Sequence, residues 1–155
     1  MLERLHPWCG AWEGEGQGEF PTITPFSYRE RLVMTADLPR GLIRFEQWAW
    51  KRSGDGGPES ASHHEVGAIV SDADGLVLST IQNGTRYERL RGVITPRPDG
   101  LQVDWTSEAY AADPRVVRST RRFLWSGDTL AYAMAMELGG VAGLRPHLSA
   151  ELRRT

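Results

Sequence analysis

Residues 10–20 read GAWEGEGQGEF, and glycine recurs at every second position from Gly14 to Gly18 within a segment that otherwise has the character of a strand. Glycine weakens a strand, so its repeated use marks a bend, a bulge or the close approach of another backbone or of a ligand. The first strand of a tightly curved barrel needs all three of these features. The stretch therefore predicts a curved opening strand.

Short segments bounded by turn residues follow this stretch at fairly regular intervals, which is typical of an antiparallel meander. Asn83-Gly84 supplies the positive φ angles of a two-residue hairpin, and Asp74-Gly75 and Ser126-Gly127-Asp128 are similar turns. A short helix or turn is expected near residues 2–6, and no long amphipathic helix follows it. The ten candidate strands are residues 10–19, 27–36, 43–52, 62–70, 75–82, 85–94, 100–110, 116–125, 129–137 and 147–153.

Closure of the sheet is the simplest arrangement of these strands, because an open sheet would leave two exposed edges. We therefore predict an all-β fold: a ten-stranded antiparallel up-and-down β-barrel with a short N-terminal helical turn, in a single domain over residues 1–155. A barrel of more than about eight strands tends to enclose a ligand cavity. The six tryptophans fit either ordinary core packing or the lining of a cavity for a flat apolar ligand.

Composition excludes several classes of partner. Eighteen basic and twenty acidic residues give a net charge of -2, which argues against a nucleic-acid binder. The single cysteine, Cys9, excludes an intramolecular disulfide and indicates a reducing compartment. There is no signal-peptide core and no run of about 18 apolar residues, so we expect a cytoplasmic protein with no membrane partner. The oligomeric state, monomer or homodimer, stays open.

Histidines are the main candidates for chemistry. His147 follows Pro146 at the start of the last candidate strand, and it faces the cavity if it points inward. There it could be an axial ligand of haem iron, although a lone histidine at a strand start is more often a surface or hydrogen-bonded structural residue. His63 and His64 are adjacent, so only one of them can face the interior of a barrel.

Other sequence signals are weaker. There is no nucleophile elbow, phosphate loop or dinucleotide fingerprint. The arginines within residues 86–97 and 115–122 could contact the carboxylates of an anionic ligand, but solvated strand faces account for them as well.

Several separated motifs together resemble the nitrobindins, a family of small ten-stranded barrels that hold haem b. The pattern Gly-x-Trp-x-Gly-x-Gly begins at Gly10, and residues 20–28 follow the family pattern Tyr/Phe-Pro-Thr-Ile/Leu-x-Pro-Phe-x-Tyr. The further matches are His63, Glu65 and Gly67 for His-x-Glu-x-Gly, then residues 121–123, Met136 and residues 146–150. The chain departs from the family pattern at residues 67–70 and 81–89.

This resemblance implies a function and three site residues. His147 falls on the proximal iron ligand, His63 rather than His64 falls on the distal side, and Thr22 falls on a residue that contacts the haem. The implied activity is binding of nitric oxide, isomerisation of peroxynitrite to nitrate at the ferric haem, or both, which favours an enzyme. The alternative is a haem-free carrier of a small apolar ligand, similar to lipocalins or fatty-acid-binding proteins.

Overall fold

A computed structural model describes residues 1–155. A 3₁₀-helix at Leu2–Trp8 precedes the first strand, and a second short one at Leu38–Arg40 connects the second and third strands. The ten strands are β1 Gly10–Phe20, β2 Ile23–Asp37, β3 Leu42–Lys51, β4 Ser60–Asp72, β5 Gly75–Gln82, β6 Arg86–Arg97, β7 Gly100–Ala111, β8 Val116–Ser126, β9 Thr129–Leu138 and β10 Arg145–Arg154.

The strands form one closed barrel in which each strand pairs with its neighbour in sequence and β10 pairs with β1. All pairings are antiparallel, so the predicted all-β, ten-stranded up-and-down barrel with a short N-terminal helical turn is confirmed. Strand β2 begins at Ile23, earlier than the predicted start at residue 27, and it contains Pro25. Proline is tolerated there because β2 pairs with β3 only from Tyr28 onward, so the missing N–H of Pro25 has no partner strand on that side.

One end of the barrel interior is apolar and covered by the N-terminal helix. Leu5 and Trp8 of this helix are almost completely buried against the interior. We call this the plugged end, and its strand residues include Trp12, Ile43, Leu76, Val103, Leu130 and Leu152, each at most 1% exposed. The indole N–H of Trp12 donates to the carbonyl of Trp8 at 2.8 Å, which fixes the helix to β1.

The opposite end of the interior is polar. We call it the polar end, and it is defined by the buried side chains Glu30, Gln47, Glu65, Gln82, Glu88, Arg121 and Tyr132. These residues continue the inward-facing alternation of the same strands that form the plugged end. The interior is therefore one apolar core and one polar layer along the same barrel axis.

The glycines of β1 make room for side chains of β2 at the polar end. A Cβ on Gly16 would lie 2.2 Å from the ring of Tyr28, and a Cβ on Gly18 would lie 2.2 Å from the ring of Phe26. The close approach predicted from the glycine spacing thus involves aromatic rings of the neighbouring strand. The same rings border the polar end.

Side chains fill most of the interior, so the cavity expected of a ten-stranded barrel is reduced to small voids. Two partly enclosed voids at the polar end, called the enclosed voids below although both open toward the rim, measure about 90 Å³ and about 170 Å³. Both lie below the range of roughly 300–1,000 Å³ that is usual for sites of drug-sized ligands. In addition, the chain forms no helix with the length and hydropathy needed to span a membrane.

Candidate functional site

His147 lies at the rim of the polar end, and a β-bulge directs its side chain. In the ladder between β10 and β9, Pro146 opposes Ala135 and Leu148 opposes Met134, so His147 is an extra residue without an opposite partner. A bulge of this kind redirects side chains and is common at barrel rims. As a result, His147 and Leu148 both line the enclosed voids although they are consecutive in a strand.

The His147 imidazole is held by one of its two nitrogens. Nδ1 lies 3.2 Å from the backbone carbonyl of Glu19, and the ring of Phe20 packs edge-on at 5.8 Å. Since a carbonyl can only accept, Nδ1 carries the proton and Nε2 keeps its lone pair in the neutral ring. No hydrogen bond or ion pair in the structure involves Nε2. This arrangement is the usual one for a histidine that ligates a metal through Nε2.

Burial lowers the pKa of His147, because the half-buried rim disfavours the charged imidazolium. The hydrogen bond to Glu19 opposes this effect, while nearby His63 and Arg86 add to it. The lowered pKa favours the neutral form of the imidazole, which is the form that binds a metal.

His63 lines the same two voids as His147. Its Nε2 lies 3.2 Å from Oε2 of Glu65, which is two residues further along β4 on the same face. His64 lies on the outer face, where its ring stacks on Trp48 at 5.5 Å and its Nε2 lies 3.1 Å from Glu46. Of the adjacent pair, the structure directs His63 toward His147 and His64 toward solvent.

Arg121 holds the two buried carboxylates beneath His63. Its guanidinium donates to Oε2 of Glu65 at 3.0 Å and to Oε2 of Glu88 at 2.5 Å. Ser119 and Gln82 also donate to Glu88. Burial alone would raise the pKa of Glu65, but Arg121 and His63 outweigh it and lower this pKa to about 2. Glu65 is therefore an ionised and fixed partner for His63.

A second polar group surrounds Glu30. The hydroxyl of Tyr132 donates to Oε2 of Glu30 at 2.5 Å and lies 2.7 Å from the hydroxyl of Tyr28. The amide of Gln47 donates to the Tyr132 hydroxyl at 3.3 Å. Burial raises the pKa of Glu30 to about 8, although the hydrogen bond from Tyr132 opposes this shift. Tyr28 and Tyr132 also border the void that contains His147, which links this group to the rim.

Thr22 lies in the turn between β1 and β2 and is exposed to solvent. It is not among the residues that line either enclosed void. Phe20, two residues earlier in the chain, is the residue near Thr22 that contacts the site, because its ring packs against His147. The structure therefore brings His63 and His147 together and leaves Thr22 outside the pair.

The interior ion pairs were not anticipated from the sequence. The interpretation of residues 115–122 as a solvated basic face is wrong for Arg121, which is only 5% exposed. A signal existed, because Arg121 and the core residue Phe123 are two positions apart and therefore share a face of β8. In β2, Glu30 likewise lies two positions from the buried residues Tyr28 and Leu32 and shares their face of the strand.

The residues at the rim fit haem through their donor chemistry, while the enclosed space alone is too small for it. Nε2 of His147 is an unshared imidazole donor, which is the proximal ligand type of many haem proteins. His147 and Leu148 border both enclosed voids and also a groove of about 890 Å³ that runs across the outside of β7–β10 and β1. The residues that could hold a flat cofactor therefore lie at this rim.

Comparison with known proteins assigns the family. Residues 1–154 match the family described as "THAP4-like, heme-binding beta-barrel domain". The chain belongs to this family. The predicted membership of a haem-binding barrel family is thereby confirmed, and so is haem b as the cofactor.

Individual relatives are similar to this protein over nearly the whole chain. A protein of Mycobacterium marinum named peroxynitrite isomerase 2 is 31% identical over 157 residues, covering 99% of this chain and 94% of its own length. A protein of Streptomyces griseus named peroxynitrite isomerase is 33% identical over 159 residues, covering 99% of this chain and 83% of its own. The crystal structure of Rv2717c from M. tuberculosis superimposes with a TM-score of 0.86 at 26% identity, covering 99% of this chain and 96% of that one.

Proposed function

We propose that this protein binds haem b through Nε2 of His147 and, in the ferric state, converts peroxynitrite to nitrate, with nitric oxide as a second ligand. The observation that carries the proposal is the state of the His147 ring, with Nδ1 bonded to Glu19 and Nε2 free at the rim of the barrel. Membership in a haem-binding family and relatives named peroxynitrite isomerase support the same assignment. The partner class is thus a small molecule.

The protein's own contribution is to hold and orient the ligand. The carbonyl of Glu19 keeps the proton on Nδ1, so the lone pair of Nε2 stays available, and the edge of Phe20 limits rotation of the ring. When bound, ferric haem would supply Lewis-acid chemistry for the conversion of peroxynitrite to nitrate. Leu148 borders the voids beside His147 and gives them an apolar wall next to the ring.

His63 is the proposed distal residue. Its ring is fixed by the hydrogen bond to Glu65, which Arg121 holds in turn. A histidine fixed in this way can orient a small ligand or restrict its access without leaving its place. Thr22 is proposed to contact the haem from the exposed β1–β2 turn.

The haem-free carrier is less well supported. Such a carrier needs an apolar interior for its ligand. Here the charged residues Glu65, Glu88 and Arg121 occupy the interior at the polar end, where the two voids lie. We also propose that residues 1–155 act as a single cytoplasmic domain, supported by the one half-buried cysteine.

Replacement of His147 tests the proposal. Purified protein is titrated with ferric haem, and the Soret band and the yield of nitrate from peroxynitrite are recorded. His147→Ala should lose the histidine-ligated Soret band and the acceleration of nitrate formation, because no other imidazole reaches the rim with a free Nε2. His64→Ala removes a histidine from the outer face and should change neither measurement. An unchanged Soret band in His147→Ala would overturn the assignment of the ligand.

A further inference from the structure

We propose that the guanidinium of Arg86 is an anion-binding group at the mouth of the polar end, and that it takes a planar anion with two oxygens, such as nitrate, nitrite or a carboxylate. The physiological identity of the anion rests on the proposed function. The site itself belongs to the haem-free protein as well.

Arg86 points into the barrel. It begins β6, in which Glu88 and Leu90 are buried, so the alternation of the strand directs Arg86 to the same inner face. It lines both enclosed voids together with His63 and His147. Its charge is also one of the lesser causes, after burial, that lower the pKa of His147.

Arg86 has no partner of its own in the structure. None of the ion pairs or side-chain hydrogen bonds includes it, although its side chain is half-buried. The carboxylates of its surroundings are already bound: Glu65 and Glu88 by Arg121, and Asp113 by Arg115 at 2.8 Å. A partly buried guanidinium without a counter-ion is the exception among interior charges, which are normally paired.

The shape of the free group defines the ligand. A guanidinium offers parallel N–H donors in a plane, which match two oxygens of a planar anion in a bidentate pair. The adjoining voids of about 90 Å³ and 170 Å³ admit an anion of a few heavy atoms. Near the mouth, Tyr110 carries a hydroxyl whose only bond is a long one of 3.5 Å to Gln82, so it can add a further donor.

Two sources can supply this chemistry: a dissolved oxyanion, or a carboxylate of the bound cofactor. The first experiment uses haem-free protein labelled with ¹⁵N, titrated with sodium nitrate and with sodium acetate at constant ionic strength. The wild type should show saturable shifts of the backbone amide signals of His63 and Tyr110. Arg86→Gln should bind at least about tenfold more weakly, because a charge-assisted pair is lost, and Arg86→Lys should retain part of the affinity.

Arg44→Gln is the matched control, since Arg44 is exposed on the outer face of β3 and also has no ion pair. It should bind both anions as the wild type does. Equal saturable binding by Arg86→Gln and wild type, or no saturable binding by the wild type, would overturn the proposal. Thermal unfolding of each variant verifies that a loss of binding is not a loss of fold.

The second experiment distinguishes the two sources with haem-loaded protein. If a carboxylate of the cofactor pairs with Arg86, the haem-loaded wild type should no longer bind nitrate, and Arg86→Gln should bind haem about tenfold more weakly than the wild type. If a dissolved oxyanion binds Arg86, nitrate should still bind the haem-loaded wild type, and the affinity of Arg86→Gln for haem should equal that of the wild type. Because the first experiment needs no haem, failure of the His147 assignment leaves its result intact.

Discussion

The two ends of this barrel use the same ten strands in opposite ways. At the plugged end, residues such as Trp8, Trp12 and Leu130 are packed without polar partners apart from one indole hydrogen bond. At the polar end, the same strands bury carboxylates, a guanidinium and two tyrosines that are joined by hydrogen bonds. Apolar burial stabilises a fold, whereas buried charges tend to cost more than they return.

The regularity of the strands also differs between the ends. Irregular register occurs beside Gly18, Ala49, Arg89, Pro146 and Val116, and all five positions are at the polar end of their strands. The pairings of the plugged end continue without interruption. Bulges concentrate at barrel rims and next to functional sites. The comparison indicates that the plugged end supplies stability, which allows the polar end to hold irregular backbone and ionised groups.

The largest effect should come from opening the plugged end. Trp8 is 1% exposed and its ring lies 5.7 Å from that of Phe123. Trp8→Ala should lower the free energy of unfolding by about 3–5 kcal/mol, measured by urea denaturation, because it leaves a large cavity. The Soret band of the haem-loaded variant should stay that of the wild type. Trp50→Ala is the control: Trp50 lies on the outer face under Arg29 and should cost less than about 1 kcal/mol.

A shift of the Soret band in Trp8→Ala would contradict the division of roles between the two ends. An equal loss of stability in Trp50→Ala would show that the outer face contributes as much as the plugged end.

A comparable effect with a different cause is expected at the polar end. Arg121→Met leaves the buried carboxylates of Glu65 and Glu88 without their cation and should destabilise the protein by about 3–5 kcal/mol. Arg122→Met removes the neighbouring arginine, which is exposed and paired with Asp104, and should cost less than about 1 kcal/mol. Adding Glu65→Gln and Glu88→Gln to Arg121→Met should recover much of the loss. If the triple variant is no more stable than Arg121→Met, unpaired charge is not the cause.

The effect that is smallest per single measurement step concerns pH, because it builds up by increments from one pH unit to the next. The pKa of Glu30 is raised from an ordinary 4.5 to about 8, so the folded protein keeps a proton that the unfolded chain loses. The stability contributed by protonated Glu30 is complete below about pH 4.5 and is lost as the pH rises through about 8. Glu30→Gln has no carboxyl group that titrates at this position. The difference in the free energy of unfolding between Glu30→Gln and wild type should therefore shift in favour of the variant by up to about 1.4 kcal/mol for each pH unit in this window.

Urea denaturation of both proteins across this window measures the difference. The lowered pKa of Glu65 acts in the opposite direction at acidic pH, but it is common to both proteins and cancels. Parallel curves for wild type and Glu30→Gln would contradict a protonated Glu30 in the folded state.

The sequence was sufficient for the strands and the closure, because turns and two-residue alternation are local signals. His63 and His147 were singled out by the family resemblance and not by alternation. The sequence was not sufficient for the polar layer. Arg121 meets Glu65 and Glu88 only because closure brings β8, β4 and β6 to one interior, and one sequence gives no distance between them. The small volume of the voids depends on side-chain rotamers and could not be predicted either.

The extra residue in β10 has a consequence for how such sites are found and changed. In strict alternation, Leu148 faces inward and His147 would face outward. Its inward direction thus depends on chain length between Pro146 and Leu148 and not on residue type. Removing one residue beside His147 would turn the imidazole to the outer face without altering any side chain of the interior. Sequence alignments that allow no gap within a strand would misplace this residue. Insertion of one residue into a strand is therefore a way in which a barrel without a ligand site can acquire an inward-facing ligand.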